Sequence, residues 1–342
     1  PPLPDPMPYE VALPEAPVTE ATAEVEAPEE AVAEAPMPTE APSPGPEVAA
    51  AGTIPLSAPA TGQRGNVGSR ATTMQPTPHP ALIEQGRHGL LPVVAPDGRQ
   101  SWQVYARPFD DSDERPQIAL VVIGLGVGNA GTNKAVRMPG EVTLAFSPYG
   151  ESSDTYVREA RAGGHEVLLE VPMEPLSFPT DDPGPRALMT SLGPRQNLER
   201  LTWLMSRFAG YVGIIESYGG RFTDSEIHLE PMMFEIGRRG LLYVDRANTV
   251  SDVPRAIADK LGMLHIATNI DLDIEPSRAE IRKRMAAADM MAKQQGTAVV
   301  IARSYPVTLD LLEVWINGLE RDGIALAPLT AVLARRAQAA AQ

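Results

Sequence analysis

Short apolar runs alternate with longer amphipathic segments from Gln117 to the end of the chain. Each run is rich in Val, Ile and Leu, and each is followed by a segment long enough to form a helix. Strands that are apolar along their whole length are buried on both faces, which is typical of a parallel sheet covered by helices. The runs predict eight strands, at residues 117–123, 142–146, 166–171, 211–215, 241–245, 263–267, 297–302 and 324–329.

Helix boundary signals lie between these runs. One helix is expected after Asp224, ending before Gly240, and another after Pro276, ending at Gly296. Eight strand and helix units predict an α/β protein with a (β/α) barrel, and a doubly wound sheet is the alternative.

The first 60 residues have a different composition. They contain 15 of the 35 prolines, 11 of the 44 acidic residues and no Lys or Arg, so the net charge of −15 leaves only −4 for the rest of the chain. No aromatic residue occurs between Tyr9 and Trp102, and such a stretch buries too little apolar surface to offset the entropy lost on ordering. We expect residues 1–112 to be a disordered tail and linker, and residues 113–342 to form the barrel.

Composition also excludes several classes of function. A basic surface is missing, which argues against nucleic acid as a partner. The chain has no cysteine, so disulfides, thiolate zinc sites and cysteine nucleophiles are excluded. No run of about 18 apolar residues predicts a membrane span. Because the chain starts at Pro1 rather than Met, a signal peptide or membrane anchor ahead of it is left open.

Candidate chemistry is sought at the carboxyl ends of the strands, where ligands of parallel sheets bind. The polar residues expected there are Glu170, Glu216, Ser217, Asp245, Arg246, Arg303 and Ser304. None is a histidine, and the five histidines do not converge: His79, His88, His165, His228 and His265. Asp271, Asp273 and Glu275 are interpreted as a solvated acidic loop before a helix, because the run lacks the glycine and the distal glutamate of an EF-hand calcium loop.

A glycine-rich turn follows the first barrel strand. Gly126, Gly128 and Gly131 satisfy the G-x-G-x-x-G pattern of a dinucleotide site. The expected helix is short, because Pro139 ends it, and Glu151 lies beyond the place where a ribose-binding acid is needed. We therefore favour a turn at the barrel rim and keep a dinucleotide-binding module at residues 126–131 as an alternative.

Several segments resemble a known family in their order and motifs. They include IALVVIGLG (118–126), PGEVTLAFSPYG (139–150), the VPMEP and DDPGP motifs within residues 160–191, FAGYVGIIESYGGRFT (208–223), RRGLLYVDRANT (238–249) and the stretch at 305–333 that begins YPVTL. Over about residues 116–333 the chain resembles the divergent polysaccharide deacetylases, a bacterial envelope group related to NodB-type carbohydrate deacetylases. The resemblance implies a distorted (β/α) barrel, a periplasmic location, and an N-terminal membrane anchor followed by a Pro-rich linker.

The metal ligands expected from that resemblance are substituted. Relatives typically carry two adjacent aspartates after the first strand, where this chain has Ile123 and Gly124. They have Asn-Asn-His-Met-Gly-Ser at the positions of residues 215–220. Near the end of the seventh strand they have Gly-His, where this chain has Ala302 and Arg303. Deacetylation of this type needs a divalent cation to activate water and stabilise the oxyanion. We therefore expect no cofactor, a barrel that has lost hydrolysis, and a role in binding glycan or a cell-wall protein.

Other positions still match the family. Glu174, Arg221, Asp245 and Asp273 match, and the expected binding groove adds Arg246, Arg303 and Tyr305. Arg221 is expected to pair with Asp245 or Glu216 across the barrel mouth. No residue is assigned as catalytic. The alternative is an active deacetylase using zinc or a similar ion, with a site rebuilt from the candidate catalytic residues Glu170, Glu216 and Asp245.

Overall fold

The computed structural model describes residues 74–246 and 251–340. Its strands are β1 Ile83–Gly86, β2 Gly89–Pro92, β3 Gln117–Leu125, β4 Thr143–Phe146, β5 Val167–Met173, β6 Gly213–Tyr218, β7 Leu242–Asp245, β8 His265–Ala267, β9 Ile270–Asp271, β10 Thr297–Arg303 and β11 Ala325–Leu326. Its helices are α1 Ser101–Val104, α2 Asn129–Ala135, α3 Ser153–Ala162, α4 Pro194–Met205, α5 Glu226–Arg238, α6 Val253–Leu261, α7 Arg278–Gln295, α8 Pro306–Leu319 and α9 Leu329–Ala340, with a 3₁₀ turn at Pro80–Leu82.

Nine strands form one parallel sheet in the order β8-β7-β6-β5-β4-β3-β10-β9, with β11 beside the start of β3. Only two residues separate β8 from β9, although β8 pairs with β7 and β9 pairs with β10. The Thr268 N–H donates to the Asp245 carbonyl (2.8 Å) and the Asn269 N–H to the Val299 carbonyl (2.7 Å). The chain therefore passes directly from one edge of the curled sheet to the other, which gives a distorted (β/α) barrel rather than a doubly wound sheet.

The eight predicted apolar runs correspond to β3–β8, β10 and β11. Strand β9 was not predicted, because a two-residue strand leaves no periodic signal. In β3, the side chains of Ala119, Val121 and Ile123 pack inside the barrel, whereas those of Leu120 and Val122 pack under the helices. Both layers are apolar, and this explains why the runs are continuous instead of alternating.

The two helices with clear boundary signals form α5 and α7. Ser277 caps α7 by accepting a hydrogen bond from the Glu280 N–H (3.2 Å), and Gly296 ends the helix with a φ of +80°, a conformation that favours glycine. Within the described residues, no helix combines the length and hydropathy needed to cross a bilayer.

The predicted boundary at residue 112 is wrong, because folded structure begins earlier. The 3₁₀ turn, a β1–β2 hairpin and α1 all precede it, and Leu82 and Tyr105 are 1% and 2% exposed inside the barrel core. The Arg107 N–H also donates to the carboxylate of Glu166 (3.0 Å). The apolar residues of this segment lie in short runs without a hydrophobic period, so they gave no sequence signal. The part of the expected disordered tail before residue 74 lies outside the described residues.

We predict that Leu82→Ala destabilises the barrel by about 2–5 kcal/mol, because it leaves a cavity in the core beside β3. Urea unfolding of the whole chain measures this change. Leu90→Ala, at a position that is 37% exposed, is the matched control and should change stability by less than about 1 kcal/mol. Equal and small effects of both substitutions would show that residues before β3 are not part of the cooperative fold.

Candidate functional site

The carboxyl ends of the strands form a barrel mouth whose inner face is polar. The β5–β6 register places Glu170 opposite Ile215, and the β9–β10 register places Asp271 opposite Ile301. Both isoleucines belong to the inner core, so these two acidic side chains also point inward. The inner face of the mouth comprises Ile123, Glu170, Ser217, Arg246, Asp271, Asp273 and Arg303.

Glu170 lies at the base of this mouth and is 6% exposed. One of its carboxylate oxygens accepts the Gly124 N–H at 2.5 Å, and the carboxylate also accepts a hydrogen bond from the Ser217 side chain. Burial raises the pKa of Glu170 to about 6, while the Gly124 hydrogen bond and the charges of Arg246 and Arg303 oppose the rise. The base of the mouth is thus a buried carboxyl group held by hydrogen bonds.

Two arginines form the side of the mouth. The Arg303 guanidinium donates to Asp271 (3.0 Å) and Asp273 (2.9 Å), and Arg246 donates to the other oxygen of Asp271 (3.1 Å). The expectation of a solvated acidic loop is wrong for these two aspartates, since Asp271 is 7% and Asp273 is 1% exposed. Burial raises the pKa of Asp273, against the effect of its hydrogen bond from Thr308.

The side chains of this mouth do not fit a divalent metal. At the positions where relatives carry ligands, Ile123 and Gly124 offer no side-chain donor atom, Ser217 offers a neutral hydroxyl, and Arg303 brings a positive charge. No three His, Asp or Glu side chains are grouped for metal binding in the described part of the chain.

Glu216 and Asp245 lie on the opposite face of the sheet from Glu170. Glu216 is opposite Val171 in the register, and Val171 belongs to the outer core layer. The Tyr243 hydroxyl donates to Glu216 at 3.1 Å, and Asp245 lies 3.6 Å from His265. The site rebuilt from Glu170, Glu216 and Asp245 is therefore not assembled, because the sheet separates Glu170 from the other two.

This outer cluster is a buried group of titratable side chains on β6, β7 and β8. Burial, aided by the nearby Asp245 charge, raises the pKa of Glu216 to about 8. Among the described residues, none forms a hydrogen bond with the imidazole Nε2 of His265. The remaining histidines lie away from the mouth; His165, at the start of β5, bonds the Val142 carbonyl (2.7 Å), and burial lowers its pKa.

Arg221 does not pair with Asp245 or Glu216. Its guanidinium lies 3.6 Å from Glu174, which also accepts hydrogen bonds from the Thr190 N–H (2.7 Å) and hydroxyl (2.6 Å). Glu174 is the first residue of the loop between β5 and α4 (residues 174–193), and Arg221 lies in the loop between β6 and α5. The ion pair therefore connects these two loops. Arg221 is about half exposed, so the pair is open to solvent on one side.

Exposed apolar residues surround the mouth. Tyr218, at the end of β6, is 49% exposed with a φ of +65°, the only positive φ of a residue other than glycine among those described. Such a backbone is strained for a bulky side chain and is often found at functional sites. Other exposed residues follow β5, β9 and β10: Leu176, Phe178, Ile274 and Tyr305. Only Tyr305 was predicted, because single apolar residues in loops carry no sequence signal.

The glycine-rich turn is explained by contacts within the protein. A Cβ atom on Gly131 would lie 2.8 Å from the Ser304 carbonyl, and one on Gly126 would lie 2.8 Å from the Ser153 hydroxyl. The Gly126 N–H donates to the Thr132 side chain (2.9 Å). These glycines allow the β3–α2 turn to pack against neighbouring loops.

Comparison with known proteins agrees with this barrel. A family model described as "Divergent polysaccharide deacetylase" matches residues 120–333. The chain belongs to this family.

Three similar proteins carry names that state no function. A solved structure, the uncharacterized protein ATU2773 from Agrobacterium tumefaciens C58, is 33% identical with a TM-score of 0.69, covering 71% of this chain and 99% of that one. The uncharacterized protein YibQ of Escherichia coli (strain K12) is 25% identical over 208 residues, which is 60% of this chain and 64% of YibQ. An uncharacterized protein of Haemophilus influenzae is 22% identical over 60% of this chain and 73% of its own length. The match thus spans slightly less than two thirds of YibQ.

We predict that Glu216→Gln becomes more stable relative to the native sequence as pH rises. The pKa of Glu216 is higher in the folded protein, about 8, than the 4.5 expected when unfolded. The free energy of unfolding of the native protein therefore falls as pH rises between these two pKa values. The Glu216→Gln variant lacks this contribution, because glutamine does not ionise. The difference should grow as pH rises from 5 to 8, at a rate on the order of 1 kcal/mol for each pH unit.

Urea unfolding at several pH values measures this difference. Glu151→Gln, at an exposed position, is the control and should give a difference that does not change with pH. A flat difference for Glu216→Gln as well would contradict the burial of an uncharged Glu216 carboxyl group.

Proposed function

We propose that this divergent polysaccharide deacetylase binds a glycan at the barrel mouth and does not hydrolyse it. The observation that carries the proposal is the inner face of the mouth, where Arg303 pairs with Asp271 and Asp273. The family resemblance implies a metal ligand at the position of Arg303. Glu170 offers a buried acceptor beside this arginine. Sugar hydroxyl groups are both donors and acceptors, so they match such a mixed set of groups.

The rim supplies the apolar part of the proposed site. The C–H faces of sugar rings pack on aromatic side chains, and Tyr218 and Tyr305 present exposed rings beside the mouth. The strain at Tyr218 supports a functional role for this ring, because a strained backbone is kept only where the surrounding structure holds it.

Loss of hydrolysis follows from the donor set. The described part of the mouth has no imidazole, and its carboxylates Asp271 and Asp273 accept hydrogen bonds from Arg303. These groups support the proposal that the mouth holds no cation to lower the pKa of water and stabilise an oxyanion. Arg303 also places a fixed positive charge where such a cation is needed. The protein is therefore proposed to act by binding.

Glycan binding is tested by calorimetry with N-acetylglucosamine oligosaccharides. We expect saturable binding to the native chain and about tenfold weaker binding to Tyr218→Ala. Phe234→Ala, which removes an exposed ring on α5, is the matched control and should bind normally. Absence of binding to the native chain, or equal weakening by both substitutions, would contradict a glycan site at the mouth, and a protein partner would then be the next candidate.

The absence of hydrolysis is tested on the same samples. The native chain is incubated with zinc, cobalt or manganese and the N-acetylated oligosaccharide, and we expect acetate release at the background rate. Release at an enzymic rate would refute the binding role.

A location in the bacterial envelope is part of the proposal and is supported by the family relationship alone. Fractionation of cells that express the complete natural protein should recover it with the periplasm or the inner membrane. Recovery in the cytoplasmic fraction would contradict this location. The predicted tether is the Pro-rich segment, which lies outside the described residues.

A further inference from the structure

A cluster of arginines and aromatic rings lies on the loops after β4 and β5 and on the end of α4, apart from the polar inner face of the mouth. We call it the arginine patch, and it comprises Arg186, Arg200, Arg207, Tyr149 and Trp203. None of these residues takes part in the proposed glycan site.

The aromatic rings hold two of the arginines in place. The guanidinium carbons of Arg186 and Arg207 lie 5.3 Å and 4.9 Å from the centre of the Trp203 ring. The Tyr149 ring lies 6.4 Å from the same indole, and its hydroxyl accepts the Arg186 N–H at 3.2 Å. Stacking on an aromatic face orients a guanidinium group without using its hydrogen-bond donors.

Backbone carbonyls orient the other donors. Arg207 donates through Nε to the Pro148 carbonyl (3.3 Å), and Arg200 donates through one terminal nitrogen to the Ala187 carbonyl (2.5 Å). Both terminal nitrogens of Arg207 and the whole guanidinium of Arg186 have no hydrogen-bond partner in the described part of the chain. Donors of fixed direction therefore remain available to a ligand.

Charge within the arginine patch is not balanced by ion pairs. Among the described residues, none of its three arginines pairs with a carboxylate, whereas the nearby Arg87 and Arg158 pair with Glu199 and Asp154. Burial raises the pKa of Tyr149, while the hydrogen bond from the Arg186 backbone N–H and the charge of Arg200 lower it and the charge of Asp182 raises it. The Asp182 carboxylate itself accepts the Gly184 N–H (2.8 Å). Two guanidinium groups stacked on one indole, with Arg200 near the neighbouring Tyr149, therefore leave positive charge without an ion pair in this part of the described structure.

We propose that the arginine patch is a binding site for the carboxylate or phosphate group of an anionic ligand. A planar guanidinium group matches the two oxygens of either group and binds them with two parallel hydrogen bonds. The arginines are already oriented by Trp203, Tyr149 and backbone carbonyls, so less conformational freedom is lost on binding. The ligand neutralises the like charges of the patch.

The test uses two probes of different origin: inorganic phosphate and a short oligogalacturonate, which carries carboxylates. We expect saturable binding of at least one probe to the native chain, weakened by salt. Arg186→Gln/Arg207→Gln should weaken that binding at least about tenfold. Binding of phosphate alone identifies a phosphate ligand, and binding of oligogalacturonate alone identifies a carboxylated one.

The control removes the same charge elsewhere. Arg282→Gln/Arg321→Gln changes two exposed arginines on α7 and after α8, and binding should stay within about twofold of the native value. The proposal is overturned if neither probe binds the native chain, or if both double variants weaken binding equally. If the double variant does not fold, the single variant Arg186→Gln replaces it in the binding test. The exposed guanidinium of Arg186 makes no hydrogen bond within the described structure, so this substitution should not disturb folding.

Fluorescence provides a measurement at the patch itself. The chain has three tryptophans, so Trp102→Phe/Trp315→Phe leaves Trp203 as the single reporter. Titration with the bound probe should change Trp203 emission with the same affinity as calorimetry. An unchanged emission despite calorimetric binding would place the anion elsewhere and refute the site.

Discussion

Side-chain alternation in a curled parallel sheet is the constraint on which the chemistry of this protein depends. Neighbouring residues of a strand point to opposite faces, so a single step along the chain separates the barrel interior from the layer beneath the helices. Ser217 reaches the mouth, while Glu216 beside it is buried with Tyr243 on the outer face. Acidic residues that are close in the sheet therefore belong to two separate environments.

Charge compensation then decides what the mouth can hold. Arg246 and Arg303 are paired with Asp271 and Asp273, and these contacts connect β7 to β9 and β10, where the short β8–β9 connection joins the sheet edges. Breaking such a buried pair leaves an uncompensated charge, which is costly. The arginine patch differs in this respect, because its cations are held by aromatic rings and carbonyls and keep free donors.

The barrel could be predicted because long apolar runs and helix boundary signals are local features. Runs such as residues 117–123 and 297–302 have enough consecutive buried positions to define β3 and β10. The segment from the 3₁₀ turn to α1 was not predicted, because its apolar residues, among them Leu82 and Tyr105, lie in short runs broken by proline and polar residues. Their burial depends on insertion into a barrel formed by residues far along the chain.

The amino-acid sequence by itself determined the parallel sheet, the family resemblance and the loss of imidazole and paired aspartate at the strand ends, because these depend on residue identity and local order. Only the tertiary structure decided that Arg221 pairs with Glu174, that Asp271 and Asp273 are buried against Arg303, and that Arg186 and Arg207 stack on Trp203. Side-chain partners of this kind come from segments distant in sequence, and their contacts depend on the register and closure of the sheet.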